Sequence, residues 1–134
     1  MCQINNLLRN TGDASLTCYK VLTYREKDDT YASPMYYYWW KKGVNVVPET
    51  ELYSFERPDY IDRGYFHMFL TEEDAENYKS SLMDTSSLWN AFGNLAEFVV
   101  VKMSIPPHTY YYTGETGGTY TSMRSVAAKT VIFE

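Results

Sequence analysis

Residues 64–83 read GYFHMFLTEEDAENYKSSLM, and the pattern of apolar residues changes character at Thr71. Up to Leu70 the run is apolar almost throughout, which is the signature of a strand covered on both faces. Thr71 is a good helix N-cap, because its hydroxyl can accept from a free N–H of the first turn. Glu72, Glu73 and Asp74 follow where the helix dipole favours negative charge. Ala75, Tyr78 and Leu82 then fall on one face at helical spacing. The stretch therefore predicts a buried strand leading directly into a helix from Glu72 to about Met83.

On the C-terminal side, residues 84–94 read as a connector with room for a short second helix around Leu88, Trp89 and Phe92, closed by Gly93. Residues 97–105 (EFVVVKMSI) form the clearest strand, with Val99, Val101, Met103 and Ile105 on one face. Pro106-Pro107 ends it, since proline cannot donate to a ladder. Residues 108–113 and 119–123 flank Gly114-Glu115-Thr116-Gly117-Gly118, a spacing that predicts a hairpin with a glycine-rich loop. Residues 127–133 read as the last strand.

On the N-terminal side, residues 17–24 (TCYKVLTY) read as a strand, residues 25–30 as a polar turn, and residues 35–40 (MYYYWW) as a strand entered through Pro34. Val44 to Val47 make a further short strand that stops at Pro48. Residues 48–63 are irregular, with Leu52, Tyr53 and Phe55 as tethers. In residues 1–16, Ile4, Leu7 and Leu8 sit at helical spacing but Asn10, Gly12 and Asp13 interrupt them, so this segment is expected to be a flexible tail. Strands do not alternate with helices, so a doubly wound fold is excluded. The expected fold is α+β: one domain over residues 17–134, built as a twisted, mainly antiparallel sheet with one main helix packed on a face.

The 134 residues carry a formal net charge of −5, and of the 12 Lys and Arg only Lys41 and Lys42 are adjacent. That is not the basic footprint of nonspecific nucleic-acid binding, nor of adhesion to an anionic membrane. Two cysteines, Cys2 and Cys18, are too few for a disulfide framework and read as free thiols of a cytoplasmic protein. Residues 1–15 are too polar for a secretory signal, and no apolar run reaches the length that spans a bilayer. The unusual feature is 17% aromatic residues, with 14 Tyr, 6 Phe and 3 Trp. Tyrosine has an apolar body and a polar tip, so it suits contact surfaces as well as sheet faces.

Tyr19-Lys20-Val21, residues 64–69 (GYFHMF), residues 74–78 (DAENY), residues 99–106 (VVVKMSIP) and the tyrosine-rich hairpin resemble a group of small hypothetical proteins of gut bacteria and their phages. The usual central motif of that group is Gly-Phe-His, and here Tyr65 is inserted after Gly64. The resemblance covers most of residues 17–134. It implies a fold and a phage or mobile-element setting, with no established activity.

Several constellations are candidates for chemistry. His67, between apolar residues on a strand, is either a core histidine or a ligand contact. His67 with Tyr111 or Tyr112 and Glu115 is similar to the His-Tyr-Glu set of ADP-ribosyltransferases, although Met68 stands where those enzymes usually have glycine. Tyr36, Tyr38 and Trp40 share one face by period two, and Tyr37 and Trp39 the other. One set can face the core, and the other would form a stacking platform if exposed. Arg63, Lys102, Arg124 and Lys129 could meet around an anion if their strands are neighbours. No metal-ligand spacing, phosphate loop or nucleophile elbow is present, so no catalytic residue, metal or cofactor is assigned. The reading is a non-catalytic binding module in which Tyr36, Tyr38, Trp40, His67, Tyr110, Tyr112 and Arg124 hold a small polar ligand or a partner protein. In a phage, such a module could sequester a host signalling nucleotide and so counter defence. The alternatives are a structural or assembly protein that forms homo-oligomers, and an enzyme of the ADP-ribosyltransferase type.

Overall fold

A computed structural model describes residues 3–33, 38–47, 60–61, 65–84, 97–117 and 122–134. Within them lie β1 (Gln3–Asn10), β2 (Leu16–Arg25), β3 (Thr30–Ala32), β4 (Trp39–Trp40), β5 (Gly43–Val46), β6 (Tyr60–Ile61), β7 (Phe66–Phe69), α1 (Glu72–Asp84), β8 (Glu97–Ile105), β9 (Tyr110–Gly117), β10 (Ser122–Ala128) and β11 (Thr130–Phe133). The strands form one open sheet in the order β5-β11-β8-β2-β7-β10-β9-β1-β6, with β3 beside β2 and β4 beside β3. All pairings among the described residues are antiparallel. The described residues thus form the expected mainly antiparallel sheet with one helix packed on it, and the fold is mostly β rather than α+β.

The strand-to-helix passage holds as read. All four residues of β7 are buried, and the Thr71 hydroxyl accepts from the N–H of Asp74 at 3.2 Å. Ala75, Tyr78 and Leu82 pack on Val21, Phe69, Phe98 and Met123. This is the outer face of the sheet. The inner face holds the larger core, in which Cys18, Leu22, Phe66, Met68, Met103, Ile105, Val126, Ala128, Val131 and Phe133 meet. The β3–β4 pair lies across that face. The ring of Tyr31 meets Phe133 at 5.0 Å, and that of Trp40 meets Phe66 at 4.5 Å.

Three readings are corrected. Residues 3–10, read as part of a tail, are a strand between β9 and β6. Their sequence has little strand propensity, and β9 supplies the ladder that organises them. The hairpin is present, but β9 continues through Gly114, Glu115 and Thr116 to Gly117, which pairs with Ser122. The glycines at 114 and 117 therefore belong to the ladder rather than to a loop. The last strand is two strands, β10 and β11, with Lys129 between them. The connector at 85–94 and residues 48–59 lie outside the described residues.

The break at Lys129 shapes the molecule. β10 pairs with β7 and β9, whereas β11 pairs with β8 and β5. One residue spans only about 3.5 Å. The strands β10-β7-β2-β8-β11 must therefore curl until β10 and β11 lie end to end.

Candidate functional site

The structure divides the aromatic residues between the two faces. Trp40 is 5% exposed, and its Nε1 donates to the Ser33 hydroxyl at 2.8 Å. Tyr38 is half-buried against Trp40 and Phe66, and its hydroxyl donates to Asn45 Oδ1 at 3.0 Å. Burial pushes the Tyr38 phenol above its ordinary pKa. These two rings serve the inner core, while Trp39, between them in sequence, is exposed. Tyr36 lies outside the described residues. Arg124 is exposed opposite Glu115. Alternation along β10 sends it to the inner face, away from the buried Met123 and Ser125.

Tyr110 and Tyr112 project from the outer face. Leu8 of β1 is the register partner of Tyr112, Tyr112 of Ala127, and Ala127 of His67. This row runs across four strands on the face that also carries α1. His67 is buried at 6% exposure, and its carbonyl accepts from Lys20 Nζ at 2.7 Å. Ala127, between His67 and Tyr112, has only a methyl group to fill the row. Just before β7, Tyr65 reaches over to meet Tyr112 edge-to-face, with ring centroids 5.7 Å apart. Lys129, at the corner after β10, holds its ammonium 5.1 Å from the centre of the Tyr65 ring. That distance is within the range of a cation–π contact.

These residues border an open groove of about 430 Å3, lined by Leu8, Tyr65, His108, Thr109, Tyr110, Tyr112 and Lys129. Its size falls in the range of small-molecule sites. Tyr110 is 67% exposed, so much of its ring is open to solvent. The end of the groove is built by two clamped turns. The His108 N–H donates to the Gly12 carbonyl at 2.8 Å, Thr11 Oγ1 donates to the Pro106 carbonyl at 2.8 Å, and the Thr109 N–H donates to Thr11 Oγ1 at 3.0 Å. Gly12 and His108 both adopt positive φ there, 70° and 57°. The residue at 12 is glycine, which takes that conformation without strain. The His108 imidazole lies 3.8 Å from Asp13, both well exposed.

Of the seven residues named from sequence, the structure brings Tyr110 and Tyr112 into the groove, with His67 buried in the adjoining row. It does not bring Tyr38, Trp40 or Arg124 there. Leu8, Tyr65, His108 and Thr109 were not assigned to a ligand site from sequence, and Lys129 was named only as one of four cations that could meet around an anion. Tyr65 shares a face with His67 by period two. His108 and Thr109 directly precede Tyr110 in the chain, whereas Leu8 joins only through long-range pairing with Tyr112. Lys102 and Arg124 lie on opposite faces, so the suggested cation cluster does not form among the described residues. His67 and Tyr112 face outward while Glu115, in step with Tyr111, faces inward. The His-Tyr-Glu set therefore does not converge.

Lys20, named only within the Tyr19-Lys20-Val21 motif, was given no role from sequence. It lies between Cys18 and Leu22 on the inner face of β2, with its ammonium 5.7 Å from the centre of the Trp40 ring. Desolvation lowers its pKa to about 8, partly opposed by Cys18. Burial likewise pushes the Cys18 thiol up to about 12, which makes it a poor nucleophile. Among the described residues no three His, Cys, Asp or Glu side chains gather as metal ligands, and no helix is long and apolar enough to cross a membrane. No protein-family model, curated protein or solved structure matches the chain.

Proposed function

We propose that this protein is a non-catalytic binding module that holds a small polar ligand carrying a flat ring in the groove beside Tyr110 and Tyr112. The observation that supports the reading is the solvent-open ring of Tyr110 beside Tyr112, Tyr65 and Lys129. Exposed π faces stack on ring-bearing ligands, each contributing about 1–3 kcal/mol. Calorimetric titration against nucleosides, nucleotides and aromatic metabolites tests it. Binding of one class, weakened about five- to hundredfold in Tyr110→Ala or Tyr112→Ala, is the expected result. A panel in which nothing binds would remove the proposal. The resemblance to small proteins of gut bacteria and phages supplies a setting in which sequestration of a host signalling nucleotide would be useful.

A second reading, assembly with another copy or a partner protein, is favoured by β5. Val44 and Val46 are 55% and 57% exposed on a strand that ends the order of the sheet. Strands of this kind, without charge or proline, readily pair with another chain. Light scattering with Val44→Lys as control separates the two readings. An assembled species that the substitution dissociates supports assembly, and a monomer at all concentrations opposes it.

A further inference from the structure

We infer that Lys20 is a site of acyl modification, at which the ε-amine takes a small acyl group such as acetyl from an activated donor, an acyl phosphate or a thioester. Lys20 is half-buried on the inner face of β2, on the same side as the buried Cys18 and Leu22. Its Nζ donates to the His67 carbonyl at 2.7 Å and stands 5.7 Å from the centre of the Trp40 ring. Both of these partners are neutral, and neither returns the full hydration that a charged amine gives up. The titratable groups packed with that core are the thiol of Cys18 and the phenols of Tyr31, Tyr38 and Tyr111, with the ammonium of Lys42 over the Phe133 ring. Burial raises Cys18 to about 12, so the thiol stays protonated and gives the amine little charge to pair with. Desolvation accordingly brings Lys20 down to about 8. At pH 7.5 roughly a quarter of such amines are neutral, against about one in a thousand at the ordinary value of 10.5. Desolvated lysines of this kind act as nucleophiles. The surroundings select an acyl group. Its product is a neutral amide, to which the desolvation that disfavours the ammonium no longer applies. One N–H remains to donate to the His67 carbonyl, and the Trp40 face lies where it can cover a methyl group. A neutral imine would keep no N–H for that carbonyl. In the reaction the neutral amine attacks the carbonyl carbon, the C–N bond forms, and the bond to phosphate oxygen or thioester sulfur breaks. The leaving group takes the electron pair, and the nitrogen releases its surplus proton to solvent. Lys20 lies on the opposite face of the sheet from the groove, so this inference and the binding-module reading stand or fall separately.

The experiment incubates the whole protein at pH 7.5 with acetyl phosphate and, in parallel, with acetyl-coenzyme A, and follows each lysine by peptide mass spectrometry. Lys20 is expected to be acetylated about tenfold faster than the exposed Lys27, Lys41 and Lys102. That is less than the gain in neutral amine alone, because lower basicity and partial burial both slow attack. The Lys20 rate should level off above about pH 8, while the rates of the exposed lysines keep rising. In guanidinium chloride the preference should vanish, since it belongs to the fold. A preference with one donor only supports the inference and identifies the class of donor. Protein with acetyllysine incorporated at position 20 should keep a cooperative melt, at a temperature no lower than that of the unmodified chain at pH 7. Acetylation of Lys20 no faster than that of the three exposed lysines with both donors overturns the inference. A preference that survives denaturation, or loss of the melt on acetylation at position 20, does so as well.

Discussion

Lys20 is half-buried, and its ammonium is held against the larger core by the His67 carbonyl and the face of Trp40. An amine in that position is easier to keep neutral than charged, which is why its pKa falls from 10.5 to about 8. Between those two values the unfolded chain keeps a proton that the folded chain has lost, so stability rises as pH increases from about 8. Cys18 works in the opposite direction. Its unfolded thiol ionises near 9 while the folded one stays protonated to about 12, so it subtracts stability above about 9. Tyr78, shifted from 10.0 to about 12 by burial, subtracts more above 10. These three groups together give a stability that climbs between about pH 8 and 9, levels off, and then declines. Urea denaturation at half-unit pH steps should trace that shape. Lys20→Met should abolish the climb and raise stability at pH 7 by about 1–3 kcal/mol, by analogy with apolar replacement of buried charge. A loss of stability at pH 7 would show that the contacts to His67 and Trp40 outweigh desolvation. Lys20 was illegible in the sequence because a lysine between a tyrosine and a valine on a strand reads as a side chain that reaches solvent.

The elements whose physics is local were the most readable. Thr71 and the three acids after it specify where α1 begins, and Ala75, Tyr78 and Leu82 specify the face it buries. Thr71→Ala should cost about 1 kcal/mol through loss of the cap. Leu82→Ala should cost about 2–4 kcal/mol through cavity formation over Val21 and Phe98. Chemical denaturation distinguishes the two variants by that ratio, and equal losses would mean that the packing of α1 contributes no more than its cap. By contrast β1, β5 and the continuation of β9 through two glycines take their conformation from distant partners. Leu7, Leu8, Val44 and Val46 remain exposed, so no buried apolar alternation marks residues 7–10 of β1 or β5. The groove has the same character. Tyr110 and Tyr112 stood out as tyrosines on one strand, but Leu8 and Lys129 become their neighbours only through registers that link residues more than a hundred apart or cross a corner.

Across the whole molecule, the strongest pairings join remote parts of the chain. Leu16 faces Ile105, and Gln3 faces Thr116. Closing such long loops precedes any gain from the contacts, so folding is expected in the millisecond-to-second range of non-local β proteins. Stopped-flow refolding measures it, and a microsecond phase carrying the full amplitude would contradict it. The single residue between β10 and β11 carries a further consequence. It sets the phase of one strand relative to the other, because side chains alternate with a period of two. An extra glycine inserted after Ala128 would present Val131 and Phe133 to water and turn Thr130 and Ile132 toward the interior, or else drag the end of β10 out of step with β7. Either outcome should abolish a cooperative melt, whereas the same insertion between Asp28 and Asp29, in the turn from β2 to β3, should be tolerated. A joint of unit length thus makes this polypeptide intolerant of indels at the very place where it lends a cation to its groove.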